Sequence, residues 1–392
     1  MSVLFNLFYI YDPWLFHFFR MAFFTGFVCI VVLVYLYYQG KRSIILPVDS
    51  LAVVLGLVGL SIIPALAHHT NDFSVTLMYV KGAMLFIFGI ALYNLFYYLQ
   101  PQQRVITDLK IGIVVQAIVG FLALASIPFM IDFALSTNAV FPRFYNSEQE
   151  YRLYNFTSSG FFQLSLFYVV LLHFLLAYND KYNNISSIFL FLLLFIGLIS
   201  GRTFLMLSLV SIAIYFKWRY IPVLFLFGAI CLFFVFNFPE HKYVAHALEP
   251  LINLVYGKGA VSSSTDTLME KHLFIPQLKQ ILIGDGYYFA PQGGYYGGTD
   301  SGFLRQLLYG GIVYLLLCFA VTAYFIIRIA KNWFNGSLKF ILSTLLLLSI
   351  LHIKADTYAF PGIMMSLLMF LSLFGKEGKH KILFKQLKKI GT

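Results

Sequence analysis

The fold is decided by the stretch ISSIFLFLLLFIGLISGRTFLMLSLVSIAIYF, residues 185–216, in which Arg202 is the one charged residue. Apolar runs at 185–200 and 203–216 lie on either side of it, and each predicts a helix without a polar face. A helix that is hydrophobic all round must be covered by protein or by lipid. The stretch therefore predicts two membrane helices joined by a very short turn.

The rest of the chain has the same character. Of its 392 residues, 60% are hydrophobic and only 11% are charged, whereas an ordinary soluble domain carries about 25% charged residues. A spanning helix needs about 20 apolar residues. We therefore predict an all-α, polytopic integral membrane protein, a single domain over residues 1–392 with about eleven spans (10–12). They are expected near 21–38, 48–67, 75–98, 111–131, 159–177, 185–200, 203–216, 221–237, 303–327, 338–353 and 361–375.

The distribution of Lys and Arg predicts the orientation, because basic residues are retained on the cytoplasmic side. One set of short connections contains Lys41, Arg104, Lys217 and Arg328, and it shares its side with the basic tail 376–392. This side is expected to be cytoplasmic, with the tail attracted to anionic membrane lipids. The opposite, outer face then contains two long connections, 132–158 and the large outer loop 238–302. Any chemistry is expected at this outer face.

Two classes of function are excluded by the pattern of charged residues and cysteines. The net charge is +11, but the basic residues punctuate hydrophobic runs and form no patch with exposed aromatics, so no nucleic-acid binding is expected. Cys29, Cys231 and Cys318 all lie within apolar runs and have no spacing typical of metal ligands. We predict neither a metal site nor a cofactor.

Four arginines are predicted on the outer face, against the usual retention of positive charge inside. Arg143 and Arg152 lie in the first long connection, Arg202 in the turn after residue 200, and Arg305 at the start of the ninth span. Arginines near an interface can extend toward the headgroups, and this remains one interpretation. A guanidinium also matches phosphate oxygens. The alternative prediction is that these four side chains bind the diphosphate of a lipid-linked substrate.

Asp300 is the acidic residue best placed for acid–base chemistry. It lies between the large outer loop and the ninth span, where a carboxylate could deprotonate an acceptor hydroxyl. Aspartate is also a favoured N-cap residue. Both interpretations remain open at the level of sequence.

Three stretches resemble a known family, the O-antigen polymerases (Wzy type), which are related to the O-antigen ligases. The turn and apolar run 200–207 is similar to the family's Ser-Arg-Thr turn between two spans. The segments 283–288 and 299–312 resemble the end of the family's large outer loop, and Arg152 resembles an arginine in the earlier one. The number of spans, the late large loop and the basic tail agree along nearly the whole chain.

This resemblance implies a metal-independent membrane glycosyltransferase in the bacterial inner membrane, with a periplasmic active face and a cytoplasmic C-terminus. Its substrates would be undecaprenyl-diphosphate-linked repeat units, polymerised into O-antigen or a related surface polysaccharide, with a chain-length regulator as a possible partner. Arg143, Arg152, Arg202 and Arg305 would hold diphosphate. Asp300, Arg202 and Arg305 would be the catalytic residues.

Two alternatives are kept. The first is an O-antigen ligase, although ligases of this group usually show His at the position of Asp300. The second is a flippase or other transporter of lipid-linked oligosaccharide, although such proteins tend to contain internal repeats, and none is evident here.

Overall fold

The computed structural model describes residues 1–15, 19–138, 142–257, 266–375 and 381–384. Most of these residues are helical. The helices are α1 (Ser2–Tyr11), α2 (Met21–Tyr38), α3 (Val48–Ala67), α4 (Ser74–Phe96), α5 (Gln103–Leu124), α6 (Pro128–Ser136), α7 (Phe161–Tyr182), α8 (Ile188–Ser200), α9 (Arg202–Ile214), α10 (Ile221–Asn237), α11 (Lys242–Ala247), α12 (Glu249–Val255), α13 (Leu278–Ile283), α14 (Gly302–Phe334), α15 (Leu338–His352) and α16 (Ile363–Leu371). Two small antiparallel sheets pair β1 (Trp14–Leu15) with β2 (Phe19–Arg20) and β3 (Ile44–Pro47) with β4 (Lys381–Phe384).

The prediction of a mostly helical membrane protein is confirmed. Among the described residues, seven helices are long and apolar enough to cross a membrane: α2, α3, α4, α5, α7, α10 with the turn before it, and α14. The chain is therefore a multi-pass membrane protein. The other four predicted spans are also helical, but α8, α9, α15 and α16 are shorter. The count of eleven spans remains a prediction.

The fourth predicted span, 111–131, has the wrong boundaries. α5 ends at Leu124, Ser126 adopts a left-handed backbone with φ 61°, and the separate helix α6 begins at Pro128. Proline is favoured at the first position of a helix because its missing N–H is not needed there. The predicted loop 238–302 contains α11, α12 and α13. The basic tail 376–392 lies outside the described residues except for β4.

The residues divide into two compact units. The first unit contains Met1–Thr25 and Leu99–Ser263, and the second contains Gly26–Tyr98 and Ser264–Thr392. The boundary between Thr25 and Gly26 falls inside α2. A single domain over the whole chain remains a prediction.

The first unit is built around α7. This helix is largely apolar, and 83% of its most hydrophobic stretch is buried, mainly against α8 and α9. Its polar side chains bond to neighbouring elements: the Nδ1 atom of His173 lies 3.2 Å from the hydroxyl of Ser211, and Asn179 donates to the hydroxyl of Tyr220 at 2.6 Å. Such satisfied polar groups fix how the helices align inside the unit.

The second unit contains α3, α4, α15 and α16 packed with the long helix α14. α14 is interrupted at Gly310 and Gly311, where φ of Gly311 is 71°. The interruption exposes carbonyl groups, and the backbone N–H groups of Asp285 and Gly286 donate to those of Leu308 and Tyr309 at 2.7 and 3.0 Å. A broken helix is tolerated at membrane depth only when its free polar groups are satisfied in this way.

Candidate functional site

The connection that carries Arg152 is held in place by side chains of the first unit. The Gln116 amide on α5 donates to the Phe156 carbonyl and accepts from the Phe156 N–H, both at 2.8 Å. The Thr157 hydroxyl donates to the carbonyl of Tyr11 at 2.5 Å. A connection with buried, paired backbone groups is rigid enough to position a side chain.

Arg152 is a half-buried cation without a carboxylate partner in the described part of the chain. Its Nε atom donates to the carbonyl of Ser200 and its Nη1 atom to the Gln149 side chain, both at 3.1 Å, and its guanidinium stacks on Phe161 at 4.3 Å. Burial lowers the pKa of Arg152 to about 10; the neighbouring Tyr151 acts against this shift, and the positive charge of Arg202 adds to it. Burial and the second positive charge oppose the charged form, so a bound anion would stabilise it.

Arg202 begins α9 directly after Gly201 and forms an ion pair with Glu249 at the start of α12. Gly201 has φ 152°, and an added Cβ atom there would lie 2.9 Å from Nη2 of Arg152. Glycine is therefore required for the close approach of Arg152 to this turn. The turn thus places the two arginines side by side, which we call the arginine pair.

A neutral histidine lies beside the arginine pair. The hydroxyl of Tyr151 and the Nδ1 atom of His246 are hydrogen bonded at 2.8 Å. Burial lowers the pKa of His246 to about 3, and the charges of Arg202 and Arg152 add to this effect. Burial raises the pKa of Tyr151 to about 12. At neutral pH both groups are uncharged, so the positive charge of this region belongs to the arginines.

An apolar cavity of about 410 Å³ lies near the arginine pair within the first unit, although neither arginine lines it. Three of its lining residues are the immediate chain neighbours of groups described above: Tyr151 precedes Arg152, Ile199 precedes Ser200, and Leu248 precedes Glu249. The remaining wall is mostly aromatic and comes from α8, α10 and α11, with Phe191, Phe195, Phe227, Phe234 and Tyr243 as its largest members. A hydrophobic cavity therefore lies close to the cationic groups, separated from them by neighbouring residues of the chain.

Arg305 lies in the second unit and, unlike Arg152, it is neutralised by its surroundings. It is only 5% exposed, and its two Nη atoms bond Asp356 and Asp300, each at 2.9 Å. Its Nε atom donates to the carbonyl of Thr299 at 3.1 Å, and the Tyr295 ring covers the guanidinium at 3.2 Å. We call these five residues the Arg305 cluster. Its two carboxylates compensate the positive charge, which leaves little attraction for an external anion.

Asp300 is the exposed member of the Arg305 cluster, with 53% of its side chain accessible. One carboxylate oxygen bonds Arg305, and the other lies 3.6 Å from the Nε2 atom of His272. The Nδ1–H of His272 donates to the carbonyl of Gly298 at 2.9 Å. The N-cap residue of α14 is Ser301. The capping interpretation of Asp300 is therefore wrong, and its carboxylate remains accessible to a substrate.

The buried end of the cluster is closed by Tyr288. Its hydroxyl donates to the fully buried Asp356 carboxylate at 2.5 Å, and its backbone N–H donates to Asp72 at 2.7 Å. Burial raises the pKa of the Asp356 carboxyl, and the charge of Arg305 opposes that shift. Arg305 and Asp356 thus depend on each other.

The structure divides the predicted site residues between the two units. It brings Arg152 and Arg202 together in the first, and Asp300 and Arg305 together in the second. The fourth arginine, Arg143, lies in a short 3₁₀-helical turn, and its side chain is outside the described residues.

Sequence reasoning missed the partners of these residues: Glu249, His246, His272, Asp356 and Tyr288. Asp356 had a usable signal, because it is an acidic residue within the apolar region 338–375. Such a charge usually has an ionic partner. Glu249 and His246 are ordinary loop residues by composition, and nothing in their spacing indicates their role.

Comparisons of this chain with protein-family models, with curated proteins and with solved structures find no match.

Proposed function

We propose that this protein polymerises undecaprenyl-diphosphate-linked oligosaccharide repeat units into O-antigen or a related surface polysaccharide. The observation that carries the proposal is the half-buried Arg152, without a carboxylate partner among the described residues, next to a second arginine and near an apolar cavity. A guanidinium with unpaired N–H groups suits phosphate oxygens. A nearby hydrophobic cavity suits an isoprenoid chain.

The chemistry assigned to these groups is a glycosyl transfer without metal or cofactor. The acceptor hydroxyl oxygen forms a bond to the anomeric carbon of the donor glycan, while the bond from that carbon to the lipid diphosphate breaks. The proton of the hydroxyl passes to a base, and the lipid diphosphate departs as an anion. Developing negative charge on the leaving group is stabilised by the fixed positive charge of Arg152 and Arg202.

Asp300 lies in the second unit, where its carboxylate is accessible and one of its oxygens lies 3.6 Å from the Nε2 atom of His272. Its role as the base remains the prediction made from the sequence. Arg305 is assigned the role of positioning Asp300, because both of its Nη atoms are already bonded to the carboxylates of Asp300 and Asp356. This departs from the expectation that Arg305 contacts the diphosphate.

The proposal places the protein in a bacterial inner membrane, with the arginine pair on the periplasmic side and the C-terminus in the cytoplasm.

A specific feature also favours the transporter alternative. Broken membrane helices such as α14 are typical of transporter binding sites. In this chain, however, the break is filled by the backbone of Asp285 and Gly286. These backbone hydrogen bonds account for the interruption without a bound substrate. The polymerase is therefore better supported than the transporter.

The test is the surface glycan of a strain that lacks the native gene and carries single variants. Arg152→Ala is expected to leave capped single repeats and no ladder of longer chains. Lys242→Ala is the matched control, because it removes an exposed positive charge from the same unit and should leave the ladder unchanged. A normal ladder with Arg152→Ala would overturn the proposal. Repeats trapped inside the deletion strain would indicate a flippase, and free lipid-linked polymer would indicate a ligase.

A further inference from the structure

A membrane position can be assigned to α14 from its length and charge. Thirty-three residues give a helix of roughly 50 Å, which exceeds a hydrocarbon core of about 30 Å. From Ile312 to Lys331 the helix has about the 20 residues that the core requires, and its basic residues Arg328 and Lys331 come at the end of this section. The break at Gly310 and Gly311 therefore lies at one boundary of the hydrocarbon core.

The segment 274–283, which includes α13, lies at the same level. An added Cβ atom on Gly311 would be 2.3 Å from the carbonyl oxygen of Leu282, at the end of the segment. At its start, the Phe274 ring and the Leu308 side chain both approach Gly297, within 3.4 and 2.8 Å of the position of an added Cβ atom. The end of the segment thus contacts α14 at Gly311, and its start lies near Leu308 of the same helix. The segment runs across α14, along the boundary of the core.

This segment exposes large apolar side chains in the described structure. Ile275 is 93% exposed, Leu278 71% and Leu282 54%. Val313 and Leu316 of α14 are also exposed, just beyond the break at Gly311 that the end of the segment contacts. Contact with water would cost about 25 cal/mol for each Å² of apolar surface, whereas contact with acyl chains would remove that cost.

Two exposed lysines accompany the apolar patch. Lys271 precedes the segment and Lys279 lies within α13. An apolar surface bordered by lysines is the composition of helices that lie in the membrane interface, where the ammonium groups reach lipid phosphates. Charge and exposure therefore agree on a lipid surface as the partner.

We infer that the segment 274–283 is a membrane-interface anchor, which inserts Ile275, Leu278 and Leu282 among the acyl chains beside the break in α14. The Thr299 hydroxyl donates to the His272 carbonyl at 2.6 Å. The anchor therefore holds the neighbouring Asp300 loop at a fixed depth. This inference does not depend on the reaction that the protein performs.

The experiment uses nitroxide labels in the full chain, reconstituted in phospholipid nanodiscs. Ile275→Cys and Leu278→Cys are labelled singly, in a background where Cys29, Cys231 and Cys318 are replaced by Ala. Val313→Cys is the lipid-facing control, and Gln292→Cys, at an exposed turn of the same unit, is the aqueous control. Collision rates are measured with oxygen, which concentrates in lipid, and with a polar nickel chelate, which is excluded from it.

If the segment is a membrane-interface anchor, labels at 275 and 278 should behave like the label at 313, with high collision rates for oxygen and low collision rates for the nickel chelate. Nickel collision rates equal to those at 292 would overturn the inference. Size-exclusion profiles identical to the unlabelled protein show that each variant is folded. Because no glycan is needed, failure here is distinguishable from failure of the proposed function.

Discussion

Arg152 and Arg305 look alike in the sequence, and the structure shows them in opposite situations. The half-buried guanidinium of Arg152 stacks on Phe161, and the buried guanidinium of Arg305 stacks on Tyr295. Arg305 has two carboxylate partners, whereas the described residues provide none for Arg152. A guanidinium that is already neutralised holds the fold together, and one that is not can bind an external anion. The partners, not the residue type, decide the role.

The largest expected effect is on stability, at Arg305. Arg305→Ala leaves the fully buried Asp356 without its counter-charge, and breaking a buried ion pair costs about 3–5 kcal/mol. A strongly lowered unfolding temperature in detergent is expected.

The double variant Arg305→Met with Asp356→Asn sharpens this prediction. It removes both buried charges and keeps an acceptor for Tyr288, so it should be more stable than Arg305→Ala. If the double variant is no more stable than the single one, the interpretation of Arg305 as half of a mutually dependent pair is wrong.

The next effect concerns the turn that brings Arg152 to Arg202. Gly201→Ala forces an L-residue into a backbone with φ 152° and places a methyl group against Nη2 of Arg152. Strained backbone of this kind costs about 1–3 kcal/mol. Glycan chains should shorten together with a modest loss of thermal stability. As a control, an added Cβ atom at Gly228 on α10 meets nothing within 4 Å, so Gly228→Ala should leave the glycan chains unchanged and should not lower the thermal stability.

A smaller effect is expected at Glu249, where a substitution should strengthen ligand binding. Glu249→Gln releases Arg202 from its ion pair, and because both side chains are partly exposed the stability should change by less than about 1 kcal/mol. The freed positive charge should increase the affinity for an isoprenyl diphosphate about twofold to fivefold. Unchanged or weaker binding, measured by calorimetry, would mean that Arg202 does not face the anion.

The smallest effect is the pH dependence contributed by His246. Its pKa is about 3 in the folded protein and about 6.5 when unfolded. The unfolded state therefore binds more protons between these values, and stability falls as the pH drops below 6.5. Replacement by Gln should reduce that slope, by less than about 1 kcal/mol at pH 5.5 because the ring is partly accessible. Equal slopes for both proteins would contradict a neutral, half-buried His246.

The sequence predicts features that depend on neighbouring residues better than features that depend on residues far apart in the chain. Hydropathy places all eleven predicted segments on helices, because the composition of a membrane helix is a local property. The predicted turn at Gly201 is also a real turn in the backbone, whereas the break at Gly310 and Gly311 lies inside the predicted ninth span and was missed. The boundary near residue 124 was missed, since apolar residues continue through Ser126 and Pro128 into α6.

The roles of the arginines could not be predicted locally. Asp356 lies 51 residues after Arg305, and Gln116 lies 40 residues before the backbone that it fixes. Pairings of this kind depend on how helices pack, which no spacing in the sequence encodes. The failed interpretation of Asp300 as a helix cap is different, because its partner Arg305 is only five residues away and the helix begins one residue later than that interpretation requires, with Ser301 as the N-cap.

The most direct measurement of the central claim is the affinity of the purified protein for farnesyl diphosphate in nanodiscs, compared between the natural chain and Arg152→Ala. Hydrogen bonds to charged groups contribute about 1.5–3 kcal/mol, so the account predicts an affinity roughly ten to a hundred times weaker for the variant. Its unfolding temperature without ligand should hardly change, because no described carboxylate loses a partner. Equal affinities for the two proteins would contradict the assignment of Arg152 to the lipid diphosphate.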